Sequence, residues 1–119
     1  MKYLLLIYQN EQVWQGRSRE ESARIFDEYM DYTRTIHRNG NYIAGEALQP
    51  VATATTVRQR NGKTLTTDGP FAETKEQLGG FFLVEAKDLD EAMKLAGGIP
   101  AVRNGSIEVR PILPTPPVE

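Results

Sequence analysis

The run Tyr3-Leu4-Leu5-Leu6-Ile7-Tyr8 is apolar at every position. In an extended strand, successive side chains point to opposite faces, so this segment carries large apolar groups on both of its faces. The run Phe81-Phe82-Leu83-Val84 shows the same property. Such strands require cover on both sides of their sheet. The two runs therefore predict strands whose sheet is buried on both faces.

A long amphipathic helix is predicted over residues 19–38. Ser18 precedes Glu21 by three residues, the spacing of a capping box, in which the serine hydroxyl accepts from the Glu21 backbone amide. Asn39-Gly40 supplies the helix stop, because glycine tolerates the left-handed conformation. The apolar stripe that defines the helix recurs at helical spacing and consists of Phe26, Tyr29, Met30, Thr33 and Ile36.

A second, shorter helix is predicted to begin at Asp88, which opens another capping-box-like sequence. Gly97-Gly98 and Pro100 end it. Residues 41–48 and 107–112 predict two further strands, because each contains apolar residues at alternating positions.

A β-hairpin is predicted in the middle of the chain. Residues 53–60 and 63–67 are rich in β-branched side chains, and Asn61-Gly62 separates them. Asn-Gly between two such runs is the strongest short-range signal for a hairpin turn.

The order of elements, with the hairpin set aside, is strand, helix, strand, strand, helix, strand. This order predicts an α+β, ferredoxin-like βαββαβ fold with an inserted β-hairpin, in which an antiparallel sheet carries two helices on one face. The other face would then expose large apolar side chains, which is unusual for a soluble monomer. The same face of a second copy would cover it and form a dimeric α/β barrel. The competing interpretation is that the hairpin folds across this face.

Length and composition restrict the class of protein further. The chain has 119 residues, a net charge of −2 and no cysteine. We expect one domain over residues 1–113, followed by a Pro-rich disordered tail at 114–119. A weakly acidic chain without a basic cluster argues against nucleic-acid binding. The absence of cysteine fits a reducing, cytoplasmic location, and the first apolar run is too short for a signal peptide or a membrane span.

Several chemistries are disfavoured by the residues present. The sequence has one histidine, His37, and no glycine-rich phosphate loop. A single histidine and no cysteine leave mainly carboxylates as metal ligands, which is a weak basis for zinc or redox metals. We therefore expect neither a metal nor an organic cofactor. His37 itself, near the end of the long helix, fits a helix C-terminus, where a cation is favoured.

Several segments of the sequence resemble the DGPF family of the YCII-related proteins. The resemblance covers about residues 1–113, and its most specific part is the run from Thr67 to Gly80, which contains Asp68-Gly69-Pro70-Phe71. The other matching segments are residues 3–8, 45–48, 53–57 and 107–111.

This resemblance implies a dimeric α/β barrel built from ferredoxin-like subunits. It also implies a bacterial protein, from a largely uncharacterised family whose members are often encoded beside, or fused to, extracytoplasmic-function sigma factors. Related YCII proteins place a histidine and an aspartate in a cleft. That pair does not carry over, because His37 lies near the end of the first long helix, whereas the family's histidine belongs near its start.

Asp68 is the candidate catalytic residue. A carboxylate at the mouth of a cleft can transfer protons, and Gly69-Pro70 would direct Asp68 and Phe71 toward one place, with Phe71 a candidate for ligand binding. The alternative is ordinary turn chemistry, in which the aspartate bonds its own backbone.

Glu46 and Arg110 are the other candidate ligand-binding residues. Each is charged and lies in a mostly apolar predicted strand. Arginine presents a planar fork that suits a carboxylate, so the pair could hold an anionic or hydroxylated ligand. Alternatively, the two residues form a structural ion pair across the sheet or across the dimer.

Three classes of function remain open at this stage. The first is a cofactor-independent enzyme with a small-molecule pocket in the dimer barrel or cleft, which uses Asp68 for proton transfer. The second is a non-catalytic ligand-binding or regulatory module of a sigma-factor system, and the third is a structural dimer domain. The pocket hypothesis predicts that Asp68, Glu46 and Arg110 converge near the dimer cleft.

Overall fold

The computed structural model describes residues 1–118, so the last residue of the predicted tail, Glu119, lies outside the described residues. Three α-helices and six strands follow one another along the chain, with short 3-10 turns at Val51–Thr53 and Pro100–Arg103. In chain order the elements are β1 Lys2–Gln9, α1 Glu11–Gln15, α2 Arg19–Arg38, β2 Tyr42–Ala47, β3 Thr55–Arg60, β4 Lys63–Asp68, β5 Gln77–Glu85, α3 Leu89–Gly97 and β6 Ser106–Pro111.

The main sheet has four strands in the order β2-β5-β1-β6, and every neighbouring pair is antiparallel. β3 and β4 form a separate two-stranded sheet. The α+β, ferredoxin-like prediction with an inserted hairpin is therefore confirmed. The order follows from the apolar runs, because β1 and β5 are the two most apolar strands and take the two central positions.

The helix boundaries follow the capping signals. The Ser18 hydroxyl accepts from the Glu21 backbone N–H at 3.1 Å, and α2 spans the predicted residues 19–38. At α3, the Asp88 carboxylate accepts from the Glu91 N–H at 2.9 Å, while the Glu91 carboxylate accepts from the Lys87 N–H at 3.0 Å. These local bonds satisfy amides that would otherwise lack partners at the helix start.

The hydrophobic core lies between the sheet and the helices. On β1, Tyr3, Leu5 and Ile7 are buried, and their neighbours Phe82 and Val84 on β5 are buried beside them. The other buried apolar residues come from the helices and the segments that follow β5 and α3, and they are Ile36, Ala86, Ala92, Ala96, Ile99 and Ala101.

The opposite face of the sheet is apolar but only half-buried. Leu4 and Leu6 of β1 lie opposite Leu83 and Phe81 of β5, and none of the four is fully buried. The hairpin does not cover them, because almost every residue of β3 and β4 is exposed, so this competing interpretation was wrong for the single chain. Cover by a second copy stays a prediction.

The C-terminal segment lies outside the regular secondary structure. Residues 112–118 form neither helix nor strand, and the disorder predicted for 114–119 stays a prediction. Across residues 1–118, no helix is both long enough and apolar enough to cross a membrane.

Candidate functional site

A cavity of about 480 Å³ lies between α1, α2 and the β2–β5 edge of the main sheet. Its volume falls within the range of small-molecule pockets in proteins, roughly 300–1,000 Å³. The cavity is on the helix side of the sheet, next to Ile7 and Phe82 of the core. α2 packs tightly toward its C-terminal end, where Ile36 is buried, and leaves a space beneath residues 22–33.

Glycines form part of the cavity floor. Gly45 of β2 and Gly80 of β5 line it, and neither has room for a side chain. A Cβ on Gly80 would lie 2.8 Å from the Glu46 carbonyl oxygen, and one on Gly45 would lie 2.7 Å from Phe82 Cδ1. Because these two residues have no side chain, the Phe82 ring and the β2 backbone can approach closely at the cavity floor.

A β-bulge lies at the same point of the sheet. Ile7 pairs with Gly80, but the next residue, Tyr8, pairs with Leu78, which leaves Gly79 as an extra residue in β5. Bulges bend a strand locally and are frequent beside functional sites. Here the bulge falls within the cavity wall, since Gly79 also lines the cavity.

The wall opposite the floor is apolar and belongs largely to the helices. Ile25, Phe26 and Met30 of α2 line the cavity, together with Trp14 of α1. Phe26 is 63% exposed and Trp14 is 42% exposed. Large apolar side chains grouped around the opening of a cavity are typical of a binding site rather than of an ordinary surface.

A hydrogen-bond network holds α1 against the sheet at one end of the cavity. The Gln77 side chain accepts from the Glu11 backbone N–H at 2.9 Å, and the Glu11 carboxylate accepts from the Val51 N–H at 3.0 Å. Asn10 caps the helix by accepting from the Gln12 N–H. The carboxylate of Glu11 therefore has a structural partner and positions α1.

Arg17 contributes a cation to the cavity wall. Its side chain is only 8% exposed, and its Nε lies 3.7 Å from the Glu21 carboxylate, a distance too long for a hydrogen bond. The Tyr29 phenol also lines the cavity. Burial raises the pKa of Tyr29, and the Ala101 backbone and the positive charge of Arg17 partly oppose that rise.

Within one chain, the structure does not bring Glu46 and Arg110 together. β2 and β6 are the opposite edges of the sheet, so the two residues are at least about 14 Å apart by ordinary strand spacing. Both are on the sheet face away from the helices, since Glu46 pairs with Phe81 and Arg110 pairs with Leu4. Arg110 instead donates to the Glu108 carboxylate at 3.1 Å, and Glu46 contributes to the cavity edge from its place beside Gly45.

Asp68 and Phe71 lie apart from the cavity. Asp68 ends β4 and is exposed, while Phe71 lies in the following loop and is 79% exposed. Neither residue lines the cavity. The bonds of this turn involve the backbone: the Gly69 N–H donates to the Ala54 carbonyl, and Gly69 has a positive φ of 98°.

His37, the chain's one histidine, belongs to no metal-binding cluster of the described residues. His37 is exposed and stacks on Tyr42, with ring centroids 3.9 Å apart. Within the described range, no group of three or more His, Cys, Asp or Glu side chains could hold a metal ion.

Sequence reasoning named Glu46, which lines the cavity, but missed other lining residues, in particular Arg17, Trp14 and Glu11. Arg17 directly precedes the helix cap at Ser18, where an arginine ordinarily points into solvent. α1 has only five residues, too few to show a helical period. The one usable signal was Asn10, an N-cap residue type followed by Glu11 in a first turn.

Comparison with known proteins identifies the family. The chain is 39% identical over 114 residues to an uncharacterised protein of Rhizobium meliloti (strain 1021), and the alignment covers 94% of this chain and 92% of that protein. The family model described as "YCII-related domain" matches residues 1–116. The resemblance to YCII-related proteins is thus confirmed over nearly the whole length, and the chain belongs to the YCII-related domain family.

Proposed function

We propose that the protein binds a small, largely apolar molecule in the cavity between α2 and the sheet. The observation that carries the proposal is the cavity itself, which measures about 480 Å³ and is lined mainly by apolar side chains. A concave, largely apolar site of this size is the usual form of a small-molecule pocket.

The shape of the cavity supports binding because the chain cannot close it easily. Side chains cannot fill the floor at Gly45 and Gly80 without moving neighbouring atoms. On the other side, Glu11 and Gln77 fix α1 through backbone hydrogen bonds. Both walls are therefore held in place, which favours a preformed site.

The arrangement favours binding over catalysis. Glu11, the first residue of α1, lines the cavity, but its carboxylate already accepts from the Val51 N–H. Asp68 as a proton-transfer group stays a prediction, and its exposed position outside the cavity does not support it. A regulatory role in a sigma-factor system also stays a prediction, and it is compatible with a ligand-binding module.

We further propose that the protein is a homodimer in the cytoplasm. The half-buried leucines of β1 and the facing residues of β5 leave a continuous apolar strip on the face away from the helices. A two-fold partner would cover this strip and could bring Glu46 of one subunit toward Arg110 of the other. The cytoplasmic location rests on the absence of cysteine.

Native mass spectrometry of the purified protein, followed by analysis under denaturing conditions, tests the binding proposal. A non-covalent adduct that disappears on denaturation would identify a retained ligand. The variant Ser22→Phe narrows the cavity, because Ser22 lines it at an exposed position of α2. Ala23→Phe, one residue further along α2 and outside the lining, is the matched control.

We expect the adduct in the wild type and in Ala23→Phe, and its loss or strong reduction in Ser22→Phe. Binding of neutral apolar probes such as 4-phenylbutyramide, measured by calorimetry, should follow the same order. An adduct or probe that binds equally to all three proteins would show that the cavity is not the binding site. Failure of any apolar probe to bind would overturn the proposal.

A further inference from the structure

Arg17 is an almost fully buried cation in a mainly apolar cavity. Its side chain is 8% exposed, and the residue lines the cavity just before the Ser18 cap of α2. Removing a guanidinium from water is unfavourable unless hydrogen bonds or a counter-charge compensate for the lost hydration. The hydrogen bonds and counter-charges of the Arg17 guanidinium therefore indicate its role.

The protein supplies Arg17 with little compensation. The nearest carboxylate is that of Glu21, with Oε1 3.7 Å from Nε, and Glu21 is itself 44% exposed. Among residues 1–118, no side chain or carbonyl lies within hydrogen-bond distance of the guanidinium in good geometry. In the same residues, every side-chain nitrogen that is fully buried has a hydrogen-bond partner. The unpartnered nitrogens of Arg17 therefore keep some solvent-accessible surface, and the residue lines the cavity.

Within the part of the chain that the structure describes, neither of the two carboxylates that line the cavity, Glu11 and Glu46, hydrogen-bonds to Arg17. Arg17 is the only cation among the described residues that line it. The Glu11 carboxylate is occupied by the Val51 N–H. Glu46 pairs with Phe81, which places its side chain on the opposite face of the sheet. The cavity thus offers one guanidinium whose hydrogen-bonding capacity is largely unused, and the Tyr29 phenol lies in the same lining.

We propose, on the basis of the function proposed above, that the ligand is an aromatic or other apolar carboxylic acid whose carboxylate is held by Arg17. The planar guanidinium forms two parallel hydrogen bonds to a carboxylate, which an ammonium group cannot do. The apolar body of the acid would lie between the α2 side chains Ile25, Phe26 and Met30 and the glycine floor. Arg17 would then bind the ligand, and Glu21 would orient Arg17.

The test compares an acid with its own amide. The probes are 4-phenylbutyrate and 4-phenylbutyramide, which have the same apolar body and differ in charge. Isothermal titration calorimetry at pH 7 gives both dissociation constants for the wild type, Arg17→Met and Arg17→Lys. Trp14 is the chain's only tryptophan and lines the cavity, so its fluorescence reports independently whether each probe enters.

We expect the wild type to bind the acid at least about tenfold more tightly than the amide, the value of one charge-assisted hydrogen bond. Arg17→Met should remove this preference and leave amide binding unchanged, whereas Arg17→Lys should keep part of it. Equal binding of acid and amide by the wild type, or an unchanged preference in Arg17→Met, would overturn the role of Arg17. In either case, a Trp14 response to both probes would leave the cavity proposal standing, whereas no binding of either probe would overturn both.

Discussion

The ring of Phe82 lies directly over the backbone of Gly45. A Cβ built on Gly45 would be 2.7 Å from Phe82 Cδ1 and 3.3 Å from the Phe81 carbonyl oxygen. The two residues pair across β2 and β5 on the helix side of the sheet. The absence of a side chain at position 45 thus lets Phe82 lean toward the sheet edge, where it also contacts Tyr32 edge-on at 5.2 Å between ring centroids. This packing fixes one wall of the cavity.

Gly45→Ala should therefore destabilise the protein by about 1–3 kcal/mol, as overpacking a core typically does. The added methyl group forces the Phe82 ring to move, and the nearest open space is the cavity. We expect weaker probe binding as well as a lower free energy of unfolding in urea. Gly97→Ala is the matched control, because its Cβ meets nothing within 4 Å. A Gly45→Ala protein as stable as Gly97→Ala would contradict this account of the packing.

The Ser18 cap sets the start of α2 and hence the position of the cavity wall. Ser18→Ala removes the acceptor for the Glu21 N–H, so we expect a loss of about 1 kcal/mol in the free energy of unfolding. Amide hydrogen exchange should rise in the first turn of α2 and stay unchanged at α3. Ser22→Ala, an exposed position on the same helix, should change stability by less than about 0.5 kcal/mol. Equal changes in the free energy of unfolding for the two substitutions would show that the Ser18 cap does not stabilise the protein.

The fold was predictable because its signals are local. Capping at Ser18 and Asp88, the Asn61-Gly62 turn and the two fully apolar runs each act through neighbouring residues in the sequence. Together they determined the element order, and the preferred handedness of the crossovers determined the topology. The structure differs by the short helix α1, which was not predicted, and at β5, which begins at Gln77. Backbone pairing with Gln9 extends β5 through residues that are polar or glycine.

The candidate site was not predictable in the same way, because it depends on contacts between distant segments. The burial of Arg17 results from the packing of α1, α2 and β5 around it, and nothing in the residues next to it indicates that burial. Conversely, Asp68 belongs to the most specific stretch of the family resemblance, yet the single chain leaves it exposed. A specific sequence motif and the place where a cavity forms need not coincide.

Leu6 tests the proposed dimer. It is half-buried on the open sheet face, opposite Phe81 and Glu108. Leu6→Lys would place a charge at the centre of the proposed interface, so we expect the dimer to dissociate at least about tenfold more readily. Native mass spectrometry over a concentration series measures this change. Met93→Lys, on the exposed side of α3, is the control and should leave the subunit number unchanged. A monomeric wild type, or a Leu6→Lys dimer of undiminished affinity, would count against dimerisation through this face.

The ion pair between Glu28 and Arg103 predicts how stability depends on pH. Two hydrogen bonds, at 2.8 and 2.9 Å, join the guanidinium to the carboxylate and tie α2 to the 3-10 turn before β6. The hydrogen bonds from Arg103 hold the pKa of Glu28 below its ordinary value of 4.5. Since the folded state favours the ionised carboxylate, the stabilisation is present above pH 4.5 and is lost as the pH falls through the lower, folded pKa.

Glu28→Gln should therefore unfold at a lower urea concentration than the wild type at pH 7, and the difference should shrink as the pH falls toward 3. Added salt at pH 7 should reduce the same difference, because the pair is solvent-accessible. Glu73→Gln, which removes an exposed loop carboxylate, controls for the change in net charge. A difference that stays constant from pH 7 to pH 3, or that Glu73→Gln reproduces, would mean that the pair between α2 and the turn does not couple protonation to folding.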